Sequence, residues 1–132
     1  MTNLLFLGVD VGLTCVKAAV YSADGNLVHL HSLPTRLLSR KGGSSEVDVR
    51  TQWETTAAVI HSLLEHEHVS PLDIASVGIS GFGNGLFALD KDGEPLHLAM
   101  TSMDYHAKTA VDSFPPERRE LLTERSLQTL WP

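Results

Sequence analysis

A chain of 132 residues with 42% apolar and 20% charged residues is long enough for one domain, or a piece of one, with a real core. Its formal charge of −6 argues against broad binding to nucleic acid or an anionic membrane, both of which need a positive surface. The lone Cys15 excludes an intrachain disulfide, and the N-terminal apolar run is too short for a membrane span and lacks a basic flank, so a cytoplasmic protein is expected.

Leu4 to Val9 and Val16 to Tyr21 read as two strands joined by the small, polar turn Asp10-Val11-Gly12-Leu13-Thr14-Cys15. Such a turn can hold a phosphate. Gly12 lets backbone N–H groups approach an anion without a Cβ in the way, Thr14 adds a hydroxyl, and Asp10 at the strand end can hold Mg²⁺ directly or through water. The same residues also fit an ordinary hairpin with a capping aspartate. Cys15, near Lys17, reads as a small buried strand residue rather than a reactive thiol.

Asp24-Gly25 marks a second hairpin turn, and Leu27 to Leu33 forms a third strand, completing an antiparallel meander. Thr35 to Ser45, with Arg36, Arg40 and Lys41, is expected to be a solvated loop. A helix follows from about Arg50 to His66, with Trp53, Ala57, Val59, Ile60, Leu63 and Leu64 mostly on one face. Asp48 and Thr51 are both candidate N-caps, Thr51 with Glu54 three residues on. Glu46 and Asp48 therefore read as anchoring or capping groups rather than an acid–base pair.

Ile74 to Ser80 has the β-branched content of a buried strand, parallel to the first because a helix precedes it. Gly81-Phe82-Gly83-Asn84-Gly85 leaves its end as a loop, either a glycine-rich bend that only redirects the chain or one whose Asn84 amide suits a sugar hydroxyl. Leu86 to Asp90 is expected to be another strand, followed by an Asp-Gly turn at Asp92-Gly93 and a short extended piece within Leu98 to Met103. Asp104 is either a hydroxyl-binding carboxylate or the N-cap of a helix over Ala107 to Phe114, and Pro115-Pro116 opens a last helix, Glu117 to Arg125. The seven histidines offer no metal-site spacing; His29 and His31 share a strand face, and all are expected on solvated surface.

This order of elements matches an α/β, ribonuclease H-like mixed sheet with flanking helices, in which ligands collect outside the carboxyl ends of the strands. The Asp10 turn, the Asn84 loop and Asp104 are expected on one rim. The passages from Asp10 to Ala18, Asp24-Gly25, Glu46 to Asp48 with Trp53, Gly78 to Gly81, Leu89 to Leu96, and Asp104 together resemble the N-terminal part of an FGGY-family carbohydrate kinase, of the actin-like ATPase superfamily. Within it the chain looks most similar to xylulose kinases, particularly the L-xylulose branch, through Gly85 to Lys91 and Gln128 to Trp131.

The resemblance implies ATP- and Mg²⁺-dependent transfer of the γ-phosphate to a sugar hydroxyl, with a ketopentose such as xylulose as substrate class. It implies that Asp10, Gly12, Thr14 and Lys17 meet the nucleotide phosphates, with Asp10 as the metal residue, and that Gly83, Asn84 and Asp104 meet the sugar. It departs from the D-xylulose pattern where Phe82, Gly83 and Asn84 replace Gln, Met and His, and where Ser102 and His106 replace Trp and Arg around Asp104. Family members are several times longer. Residues 1–132 are thus expected to be an incomplete N-terminal domain, inactive alone, with the general-base aspartate and second domain beyond Pro132. The full-length protein is expected as a possible homodimer, without nucleic-acid or membrane partners. Non-catalytic alternatives on the same fold are a sugar or nucleotide sensor and an actin-like assembly module.

Overall fold

The computed structural model describes residues 4–40 and 42–127, so Lys41 and the Gln128 to Trp131 passage lie outside the described residues. Four strands make the main sheet: β1 (Leu5–Val11), β2 (Cys15–Ser22), β3 (Leu27–Pro34) and β6 (Ile74–Gly81), in the order β3-β2-β1-β6. The first three form the expected antiparallel meander, and β6 runs parallel to β1 with Asp10 opposite Ser80 and Val11 opposite Gly81. The return to a parallel β6 passes through α1 (Val49–Leu64) and a 3₁₀ turn at Pro71–Asp73.

Period-two alternation decides what the sheet buries. Leu5, Leu7 and Val9 of β1 and Val16, Ala18 and Val20 of β2 point to one side, where they meet Val59 and Leu63 of α1 and Val69 beyond it. Each of the large aliphatic side chains withdrawn there is worth about 1.5–3 kcal/mol in transfer terms. The helix is fixed at its start by Asp48, whose carboxylate accepts the Thr51 N–H at 2.7 Å. Of the two expected caps, Asp48 is the one used, and this hydrogen bond is the main reason its carboxyl sits below the usual carboxylate range.

Several expectations are corrected. Residues Thr35 to Ser45 are not a plain loop: β4 (Leu37–Arg40) and β5 (Ser44–Val47) form a hairpin, made possible by φ values of +100° and +89° at Gly42 and Gly43. With β7 (Ala99–Met100) they form a second, three-stranded sheet, β4-β5-β7. Leu86 to Asp90 is not a strand. It makes single bridges, Leu86 to Met100 and Leu89 to Pro95, around the Asp90–Glu94 turn.

The inner face of α1 is Gln52, Thr56, Val59 and Leu63, while Trp53 points outward and is 69% exposed. Val59 and Leu63 are buried as the apolar pattern predicts, but Gln52 and Thr56 take the places of Trp53 and Ala57, and Thr56 satisfies its hydroxyl by donating it to the Gln52 carbonyl at 2.8 Å. β6 was expected to be buried, yet Val77 and Ile79 are exposed, because α1 lies chiefly over β2 and β3 and does not cover this edge strand. Cys15 is half-buried. The C-terminal helices are α2 (Lys108–Asp112) and α3 (Pro116–Ser126), the latter opened by Pro116 in its first turn.

Candidate functional site

The Asp10 turn is shaped by bonds within itself and from the β3–β4 connection. Gly12 N–H donates to the Cys15 carbonyl at 3.1 Å, and a Cβ on Gly12 would stand 2.8 Å from that same oxygen. Only glycine fits this closure. From outside the turn, Thr35 donates its hydroxyl to the Gly12 carbonyl at 2.8 Å and its N–H to the Thr14 carbonyl at 3.0 Å. With those carbonyls tied back, the Leu13 and Thr14 N–H groups have no acceptor among the described residues, and the Thr14 side chain is exposed.

Asp10, Lys17 and Ser80 form one row across β1, β2 and β6, since Asp10 is paired with Lys17 on one side and with Ser80 on the other. Ser80 Oγ donates to Asp10 Oδ1 at 2.8 Å. The row forms the polar wall of a cavity of about 520 Å³ whose remaining lining includes Gly8, Gly78, Tyr21 and Leu30. A hard carboxylate oxygen beside free backbone N–H groups and an exposed ammonium is a donor set suited to a divalent cation and a polyphosphate. Among the described residues, no group of three or more His, Cys, Asp or Glu side chains is arranged to hold a metal by itself.

The Gly81–Gly85 loop starts beside this turn: Phe82 N–H donates to the Val11 carbonyl at 3.2 Å. It ends on the second sheet, where Leu86 and Met100 exchange two backbone bonds of 2.9 and 3.1 Å. Gly83 and Asn84 lie between these anchors, both exposed, with Asn84 held at φ 58°, a left-handed conformation that asparagine tolerates. The structure thus brings the Asn84 loop to the carboxyl end of β1.

The N-cap reading of Asp104 is corrected by the structure. It does not cap α2, whose N-cap is Ala107. Its side chain is only 7% exposed, and it accepts bonds from Ser45 N at 2.9 Å, His106 N at 2.9 Å and His106 Nδ1 at 3.1 Å. Burial would raise its pKa, but the N–H groups of Ser45 and His106 and the charge of His106 outweigh it and hold the carboxyl below its usual value. Thr101 completes the clamp by donating its N–H to the Ser45 carbonyl at 2.8 Å and its hydroxyl to Ser45 Oγ at 2.7 Å.

Thr35 and Ser80 were not singled out by sequence. Thr35 carries no signal beyond being a polar residue after a strand, whereas Ser80 is legible as a hydroxyl at the end of an apolar strand just before glycine.

An antiparallel meander extended by a parallel strand that returns after a helix defines an α/β domain of the ribonuclease H-like, actin-like class. Residues 5–132 match the family described as the N-terminal domain of the FGGY family of carbohydrate kinases, and the chain belongs to that family. It is 38% identical over 130 residues to the L-xylulose/3-keto-L-gulonate kinase of Escherichia coli (strain K12), an alignment covering 96% of this chain and 26% of that protein. It is 35% identical over 127 residues to a probable L-xylulose kinase of Haemophilus influenzae, with the same coverage of 96% and 26%. Among solved structures, the gluconate kinase of Lactobacillus acidophilus superposes with a TM-score of 0.80 at 25% identity, covering 92% of this chain and 24% of that one. The chain therefore spans about a quarter of the length of the relatives it matches.

Proposed function

We propose that this chain is the N-terminal, incomplete ribonuclease H-like domain of an ATP-dependent carbohydrate kinase that phosphorylates a ketopentose such as xylulose. The observation that carries the reading is the Asp10 turn: a glycine-closed bend with free amides at Leu13 and Thr14, set beside the Asp10 and Lys17 side chains. Similarity to two L-xylulose kinases supports the substrate class.

In this reading the Leu13 and Thr14 amides, the Thr14 hydroxyl and Lys17 meet phosphate oxygens, and Gly12 keeps the approach open. Asp10 holds Mg²⁺, directly or through water. Bound with ATP, the cation neutralises charge on the terminal phosphates. Gly83 lets backbone approach the acceptor sugar, and the Asn84 amide orients its hydroxyls. Asp104, with three of about four carboxylate lone-pair positions already engaged, has one left for the sugar and fixes the loop around it. In this reading the general base is an aspartate of the part of the kinase that residues 1–132 do not span, and these residues alone are expected to give no turnover. The full-length protein, in this reading, acts in the cytoplasm as a homodimer.

The test is made on the full-length protein with a panel of pentuloses. Asp10→Ala is expected to lower kcat by about 10²- to 10³-fold, the loss typical when one preorganised electrostatic contact is removed. Unchanged kcat would refute the metal position. Failure of the unsubstituted protein to phosphorylate any pentulose would refute the substrate class.

A further inference from the structure

Asp10 is exposed at the end of β1, where a free carboxylate would rotate about its side-chain torsions. In the structure its two oxygens face different partners. Oδ1 takes the Ser80 hydroxyl at 2.8 Å. Oδ2 lies over Gly12, 3.7 Å from where a Cβ on that residue would stand, and so is turned toward the phosphate turn. The parallel register of β6 on β1, which sets Ser80 directly opposite Asp10, makes the division possible.

We propose that Ser80 is a positioning residue for the divalent cation: its hydroxyl occupies Asp10 Oδ1 and leaves Oδ2 aimed into the turn. This rests on the kinase reading above. The Ser80 hydroxyl is exposed and bonds a residue on the neighbouring strand, so it contributes little to the packing of β6. A hydrogen-bonding partner of a metal-holding carboxylate acts by reducing the orientations the carboxylate must give up on binding. Loss of such partners commonly weakens metal affinity 10- to 100-fold.

The experiment measures Mn²⁺ binding to the full-length protein with ADP by electron paramagnetic resonance, alongside the Mg²⁺ concentration giving half-maximal activity. Ser80→Ala is expected to weaken Mn²⁺ binding by about tenfold and raise the Mg²⁺ requirement in parallel, with KM for the sugar unchanged. Ser80→Thr, which keeps the hydroxyl, restores both. Should Asp10→Ala abolish Mn²⁺ binding while Ser80→Ala binds it normally, the role of Ser80 is overturned and the metal position stands. Failure of Ser80→Thr to restore binding would likewise overturn it, since the loss would then come from strand packing. Normal Mn²⁺ binding by Asp10→Ala would remove the underlying assignment together with this one.

Discussion

Gly12 carries the strictest steric demand in the candidate site, because the Cβ it lacks would stand 2.8 Å from the Cys15 carbonyl oxygen. That oxygen belongs to backbone and already accepts the Gly12 N–H, so it cannot move aside without opening the turn. Gly12→Ala is expected to cost about 1–3 kcal/mol of stability, as overpacking against a rigid neighbour does, and to weaken ADP binding by the full-length protein. Thermal unfolding and calorimetric titration measure the two effects; an alanine variant with both values unchanged would contradict the turn geometry. Thr35 and Ser80 show the same principle from the other direction. Neither belongs to the turn, yet they tie its carbonyls and its carboxylate from the β3–β4 connection and from β6.

Element by element, the contact between β3 and the end of α1 has a pH dependence that the sequence did not suggest. His29 on β3 stacks on His66 with ring centroids 3.9 Å apart, and His68 meets His66 edge-on at 5.4 Å. Histidines expected on solvated surface thus form a small cluster, with Glu67 beside His68 at 3.3 Å. Burial, then the nearby His66 and His31, hold the His29 pKa below its ordinary 6.5. Since the unfolded chain then binds more protons than the folded one, the stabilisation is complete above pH 6.5. It is lost as pH falls from there through the lowered folded value. His29→Gln is expected to flatten the melting temperature against pH in that window, as followed by circular dichroism. A profile as steep as that of the unsubstituted protein would place the titration elsewhere.

Across the whole molecule, the main sheet is covered on one side only. The face opposite α1 leaves Phe6, Tyr21 and Leu30 exposed, and on the α1 side the edge strand β6 leaves Val77 and Ile79 exposed. Parallel strands in α/β proteins are ordinarily covered on both faces, and bare apolar surface of this kind marks a place where further structure packs. In a chain of the length of its relatives, β6 amide hydrogens are expected to exchange about a hundredfold more slowly than in residues 1–132, roughly 2.8 kcal/mol of added local stability. Equal exchange in the two forms would show that β6 remains an open edge. Among the described residues, no helix is long and apolar enough to cross a membrane.

The sequence by itself determined the local parts: the β1–β2 hairpin and its glycine turn, the third strand, a helix start at Asp48 or Thr51, the parallel return into β6 and the family resemblance. These are written in period-two alternation, turn glycines and short spacings, which act between residues near in sequence. Tertiary structure alone decided that Gly42 and Gly43 close a hairpin whose second strand pairs with β7, that Trp53 faces outward, and that Asp104 is clamped by Ser45 and His106. The Ser80–Asp10 bond belongs with these, since it joins residues 70 positions apart. Its physical reason is the same throughout: a polar side chain takes whichever partner the packed strands bring within hydrogen-bond reach, and local pattern does not specify that partner.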